Sequence, residues 1–107
     1  KDHSAQKILE EIVRTHPLEG GALLMLGQIA WKQKEYAKAT LRFERSAKDS
    51  DYEVRALIEH ARMMVSQNQY EKASSLLERA QTIDPQPRVA KYLQSIKDLL
   101  ASSSIRF

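Results

Sequence analysis

Three histidines are the side chains of this sequence best able to bind a metal ion, and their spacing does not suit that task. His3, His16 and His60 lie far apart, and no pair has the His-x-x-x-His spacing that places two imidazoles on one face of a helix. The chain has no cysteine, which excludes a disulfide and any cysteine-ligated metal. We therefore predict no metal site and no cofactor.

Residues that could catalyse a reaction are present but are not arranged for it. Gly20–Gly21 lacks the following Gly-Lys-Ser/Thr of a phosphate-binding loop. Ser74 and Ser75 have no neighbouring base, and Glu10 and Glu11 fall in the regular pattern of a solvated helix flank. Because no set of nucleophile, base and orienting group can be assembled, we expect no enzyme, no catalytic residue and no small-molecule substrate.

The segments that carry these side chains follow one pattern that occurs twice. The first copy consists of Leu23, Gly27, Tyr36, Ala39, Phe43 and Ser46. The second consists of Leu57, Ala61, Tyr70, Ala73, Leu77 and Ala80, each at the same offset from its counterpart. A constant period of about 34 residues, with small residues at set places, is typical of stacked helix-turn-helix repeats.

Small and large residues in the pattern explain how paired helices would pack. Glycine inside a helix costs about 1 kcal/mol relative to alanine, so Gly27 needs a packing reason, and Phe43 supplies the bulk that it would admit. The second copy keeps the scheme with Ala61 and Leu77.

On these residues the chain resembles the tetratricopeptide repeat family. The resemblance implies an all-α fold, a right-handed α-solenoid of antiparallel helix pairs with about six helices. The predicted units are the second helix of a truncated repeat over 1–17, full repeats over 20–53 and 54–87, a capping helix over 88–101 and a frayed tail over 102–107. Since the pattern opens in mid-repeat, we expect the chain to be a piece of a longer protein.

Apolar spacing and breaks in the sequence place the individual helices. They are expected over about 3–15, 20–34, 36–47, 53–67, 70–83 and 88–101. The break at 49–51 is rich in side chains that cap helices.

The resemblance also implies where a partner would bind, since the first helix of each pair lines the concave wall in this family. The positions on that wall are Leu24, Met25, Gln28 and Trp31 in one repeat, and Arg55, Ile58, Glu59, Arg62 and Val65 in the next. Apolar groups flanked by charges favour an extended or helical peptide with apolar anchors. The alternative, that Trp31 and Ile58 only pack on adjacent helices, stays open.

Some members of the family bind acidic C-terminal tails of chaperones through Lys, Asn and Arg on the same wall. This sequence has Leu24, Gln28 and Glu59 at such positions. The resemblance therefore implies that this clamp is absent.

Two other kinds of partner are possible. Basic residues cluster on the second helix of the first copy, in a chain of net charge +3, and would suit nucleic acid: Lys34, Lys38, Arg42, Arg45 and Lys48. Glu35 and Glu44 interrupt this series, which makes a solvated face the favoured interpretation. Self-assembly is the other alternative, through Ile8 and Ile12 or through the helix of 89–100.

The remaining expectations concern the setting of the chain and its third histidine. At 107 residues, without an apolar run of the ~20 residues that span a membrane, the chain suits one soluble domain. The compartment is not readable, and the cytoplasm is the default expectation. We expect His60 to be partly buried and hydrogen-bonded, with a lowered pKa that loosens its repeat below about pH 6.

Overall fold

The computed structural model describes residues 2–105, in which every regular element is a helix. The six helices are α1 (Asp2–Thr15), α2 (Gly20–Lys32), α3 (Tyr36–Ser46), α4 (Glu53–Ser66), α5 (Tyr70–Ile83) and α6 (Pro87–Ile105). Each helix packs on the next, and α2 also packs alongside α4. Since short turns join consecutive helices, neighbours run antiparallel. The result is the all-helical solenoid that the sequence predicts.

The turns inside the two repeats have the same backbone geometry. Lys34 and Asn68, which stand at equivalent places in the two repeats, both adopt positive φ, at 62° and 60°. In each turn the next residue donates its backbone N–H across the turn at 2.8 Å, Glu35 to the Ala30 carbonyl and Gln69 to the Met64 carbonyl. A left-handed residue ends a helix, so α2 and α4 stop at Lys32 and Ser66 rather than at the expected 34 and 67.

The core follows the repeat pattern. Phe43 and Leu77 are 1% and 0% exposed, and the small residues Ala39, Ala61 and Ala73 are each 0% exposed. A Cβ on Gly27 would lie 2.6 Å from Cε1 of Phe43. The absence of a side chain at Gly27 is therefore what lets the aromatic ring lie against α2.

The start of α2 is tied to the end of α3 by polar contacts. The buried hydroxyl of Ser46 donates to the Gly20 carbonyl at 2.7 Å, and the Gly20 N–H donates to Oδ2 of Asp49 at 3.0 Å. Asp49, from the break at 49–51, thus caps α2 together with Glu19, whose side chain accepts from the Gly21 N–H. Helix α4 begins at Glu53, and its N-cap residue Tyr52 makes no side-chain cap. The Asp49 carboxylate also accepts a hydrogen bond from the Asp51 N–H at 3.0 Å, so it stabilises both the distant helix and its own turn.

The last helix is longer than predicted. The spacing of apolar residues ends near 101, but α6 continues through Ile105, because 88–105 contain neither glycine nor proline and serine costs less than about 1 kcal/mol in a helix. The prediction of a frayed tail is therefore wrong for 102–105. Lys1 and 106–107 lie outside the described residues. On α6, Val89 and Ile96 are buried, at 8% and 2% exposed.

Candidate partner-binding surface

The predicted binding residues lie on the first helices of the two repeats, which pack side by side as α2 and α4. We call their accessible members the first-helix surface: Met25, Gln28, Trp31, Arg55, Ile58, Glu59, Arg62 and Val65. Leu24 does not belong to it. Its side chain is 3% exposed and part of the core cluster, so its prediction as a binding residue is corrected. Neighbouring helices cover this position in the first repeat.

The apolar residues of the first-helix surface differ in accessibility. Met25 is 51% exposed. Trp31, Ile58 and Val65 are half-buried and pack with one side against the core. These three side chains therefore hold the helices together, and each also keeps part of its surface accessible.

Charged residues of α4 are held by local contacts. Nη1 of Arg62 lies 3.2 Å from Oε2 of Glu59, with the arginine 58% exposed and the glutamate 21% exposed. The guanidinium of Arg55 lies 5.6 Å from the centre of the Tyr52 ring. Such an exposed ion pair adds at most about 1 kcal/mol to stability, so a partner could exchange it for its own contacts.

A hollow of about 440 Å³ extends the first-helix surface onto α6. Ile58 and Arg62 form one side, and the other side consists of Gln86, Arg88, Val89 and Tyr92. Burial raises the pKa of Tyr92, while the smaller effects of Arg62 and Glu59 lower and raise it respectively. Tyr92 and Arg62 thus line the same hollow from opposite sides.

The α6 side of this hollow was missed by sequence reasoning, although the period could have found it. Tyr92 follows Ile58 by one repeat period, as Ile58 follows Leu24. The three residues share one repeat position, but Leu24 is buried and the other two are half-buried. In α6 the residues at the packing positions of the repeat are polar: Lys91 and Ser95 stand one period after Leu57 and Ala61. This departure made the equivalence of Tyr92 and Ile58 hard to recognise.

The histidines and basic residues occupy other parts of the structure. His3 and His16 are exposed and His60 is buried, and residues 2–105 contain no cluster of three or more His, Cys, Asp or Glu that could hold a metal. Two of the basic residues that could suit nucleic acid, Lys38 and Arg45 on α3, have internal contacts. Lys38 lies 3.7 Å from Glu35, and Arg45 donates to the Pro17 carbonyl at 3.0 Å.

His60 differs from its prediction in one respect. It is 7% exposed, as expected of a buried side chain, and its ring stacks on Phe43 with the ring centres 5.9 Å apart. No hydrogen bond joins the imidazole to another residue of the described part of the chain, so the prediction of a hydrogen-bonded histidine is wrong. Burial lowers the pKa of His60, and Arg79 and Lys72 lower it further against the opposite effect of Glu44.

Fold and surface together define a class, the helical-repeat solenoids with paired helices. A family model described as tetratricopeptide repeat matches residues 30–96, more than half of the chain, and the chain belongs to that family. Its repeats generally mediate protein–protein interaction or scaffolding and are typically non-catalytic. No curated protein and no solved structure matched the chain. Across residues 2–105, no helix is both long and apolar enough to cross a membrane.

Proposed function

We propose that this chain is an interaction module that binds an extended or helical peptide of a partner protein on a concave face formed by the first-helix surface. The observation that carries the proposal is the hollow between α4 and α6. There the apolar side chains of Ile58 and Val89 lie beside two arginines, Arg62 and Arg88. A hollow of about 440 Å³ can take an apolar anchor of a peptide, while the arginines offer hydrogen-bond donors at its edge.

Peptides selected on the intact chain by phage display provide the test, with affinities measured by fluorescence polarisation. Met25→Glu and Arg62→Glu alter exposed side chains on the proposed face and should each weaken binding about tenfold or more. Leu41→Glu is the matched control, because Leu41 on α3 is 53% exposed and Met25 is 51% exposed. It should leave the affinity within about twofold.

A double substitution, Trp31→Ala with Ile58→Glu, probes the half-buried anchors. Since both residues also pack on the core, its melting temperature must be measured alongside binding. Selected peptides that bind all of these variants as tightly as the original chain would disprove the concave-face proposal.

Self-association is a second candidate, supported by the uncovered side of α1. Leu9 is buried against α2, whereas Ile8 and Ile12 remain 63% and 37% exposed. Two isoleucines one turn apart form an apolar stripe that a second copy could cover. Light scattering across a concentration series tests this. A mass that rises with concentration and falls back in Ile8→Lys supports it, and a constant monomer mass excludes it.

A further inference from the structure

A second cleft lies away from the first-helix surface, between the second helices of the two repeats. Among the described residues α3 and α5 both pack on α4 but not on each other. The space between them contains two adjoining hollows of about 360 and 260 Å³, which share Glu44, His60 and Leu76. We call this space the α3–α5 cleft. Both hollows open to solvent, so a chain segment could run along the groove.

The floor of the cleft is unusual because it contains an imidazole. His60 is buried on α4 beside Met64, without a hydrogen bond to another described residue. Its counterpart one repeat period earlier is Leu26, which is 3% exposed. An apolar side chain therefore suits this position, whereas the imidazole of His60 adds a polar group to the lining of both hollows. A ligand in the cleft could form a hydrogen bond with this ring in place of solvent.

The rim of the cleft is mainly basic. Glu44 is the one acid among the residues that line its described part, against Lys48, Lys72 and Arg79. Within residues 2–105, none of these four side chains has an ion pair inside 4.0 Å. An anionic group in the cleft would thus meet three cations that have no internal partner.

Comparison with the first repeat shows that basic side chains at the equivalent positions do have internal partners. Lys38 and Arg45 stand one repeat period before Lys72 and Arg79, and both make the internal contacts described above, to Glu35 and to the Pro17 carbonyl. Gln69 replaces Glu35 at the equivalent place, which removes the partner of Lys72.

The acidic positions of the two repeats differ in the same way. Glu78, the counterpart of Glu44, lies 3.0 Å from Lys97, whereas Glu44 has no such pair in the described chain. Lys38, Arg45 and Glu78 thus have internal partners. Their counterparts at the α3–α5 cleft, Lys72, Arg79 and Glu44, have none among the described residues.

We propose that the α3–α5 cleft is a second binding site, which takes a glutamate or aspartate side chain of a partner peptide together with an apolar neighbour. The carboxylate lies on the α5 side between Lys72 and Arg79 and accepts a hydrogen bond from the N–H of His60. Glu44 repels it from the α3 side. The apolar neighbour packs on Met64 and Leu76. Charge complementarity selects an acidic segment, and the open groove favours a peptide over a compact small molecule.

The test titrates the 15N-labelled chain with a blocked hexapeptide of alternating leucine and glutamate, followed by NMR of the backbone amides and the His60 ring. We expect saturable shifts in α3, α5 and His60. The analogue with glutamine in place of glutamate should bind about tenfold more weakly or worse, because it lacks the charge-assisted hydrogen bonds. Sodium acetate at the same concentration should cause no comparable shift.

Paired charge reversals distinguish binding in the cleft from a general electrostatic attraction between the peptide and the chain. Lys72→Glu with Arg79→Glu should abolish the shifts, and Lys38→Glu with Arg45→Glu, which changes the net charge equally, should preserve them. His60→Leu, which copies Leu26, should weaken binding without abolishing it.

Several outcomes would overturn the proposal. The first is a glutamine peptide that binds as tightly as the glutamate peptide, and the second is an equal loss of binding in both charge-reversal pairs. The others are chemical shifts confined to the first-helix surface, and acetate that causes the same shifts at the same affinity. Because the cleft shares no residue with the first-helix surface, Met25→Glu should leave this binding unchanged, so the two proposals fail separately.

Discussion

Gly27→Ala should destabilise the chain, and Phe43→Leu in the same molecule should recover much of the loss. The added methyl carbon would lie 2.6 Å from Cε1 and 2.7 Å from Cδ1 of Phe43. The ring cannot swing into solvent, because it is 1% exposed and stacks on His60. Helix and ring must therefore move apart.

The magnitude follows from two opposing effects. Overpacking a core costs about 1–3 kcal/mol, and alanine gains about 1 kcal/mol over glycine within a helix. Since the contact falls well inside van der Waals distance, we expect a net loss of about 1–2 kcal/mol in the free energy of unfolding. Phe43→Leu alone should cost about 1–2 kcal/mol through the volume it leaves empty.

The second repeat shows why the two changes should compensate. Ala61 and Leu77 occupy the equivalent positions, and both side chains are 0% exposed. The double variant copies that pair, so its loss should be smaller than the sum of the single losses by about 1 kcal/mol or more.

Urea unfolding followed by circular dichroism measures all three variants. Gly21→Ala serves as the control, because its added carbon would meet the end of the Tyr52 side chain, at 2.9 Å from the hydroxyl, and Oε2 of Glu19 at 3.5 Å, both on side chains with room to move. It should be close to neutral. Two results would refute the packing argument. One is a loss in the double variant that equals the sum of the two single losses within about 0.5 kcal/mol, and the other is a Gly27→Ala variant more stable than the original chain.

Three further changes test other features. Lys34→Gly should stabilise the chain by about 1 kcal/mol in urea unfolding, because glycine adopts positive φ without strain, and Lys34→Ala should show no such gain. Ser46→Ala should cost about 1 kcal/mol by removing the buried hydrogen bond to the Gly20 carbonyl; no loss would mean that this contact does not hold the helices together. Because burial lowers the pKa of His60 in the folded chain, the unfolded chain takes up the proton first, and stability should decline as pH falls through about 6.5. A melting temperature equal at pH 7.5 and 5.5, or one that falls as much in His60→Leu, would contradict this assignment.

The repeat and its helices were predictable from the sequence because they depend on local chemistry. The repeat period, the small residues and the breaks between apolar stripes determine which segments form helices and which of them pair. Each helix packs on the next one in the chain, so the pairing of helices could be predicted from their order in the sequence. The structure confirms the all-helical solenoid. Gly27 and Phe43 could be matched for the same reason, since short turns bring consecutive helices together.

Accessibility and charge pairing were decided only by the tertiary structure. Leu24, Ile58 and Tyr92 share one repeat position, yet only Leu24 is buried, at 3% exposed, because burial depends on which other helices cover a position. Glu44 and Glu78 are the same residue type at the same repeat position, yet among the described residues only Glu78 has an ion pair, with Lys97 of α6 at 3.0 Å. A sequence period states which positions are equivalent, but the surroundings of each position come from residues far away in the chain, and these differ between the repeats.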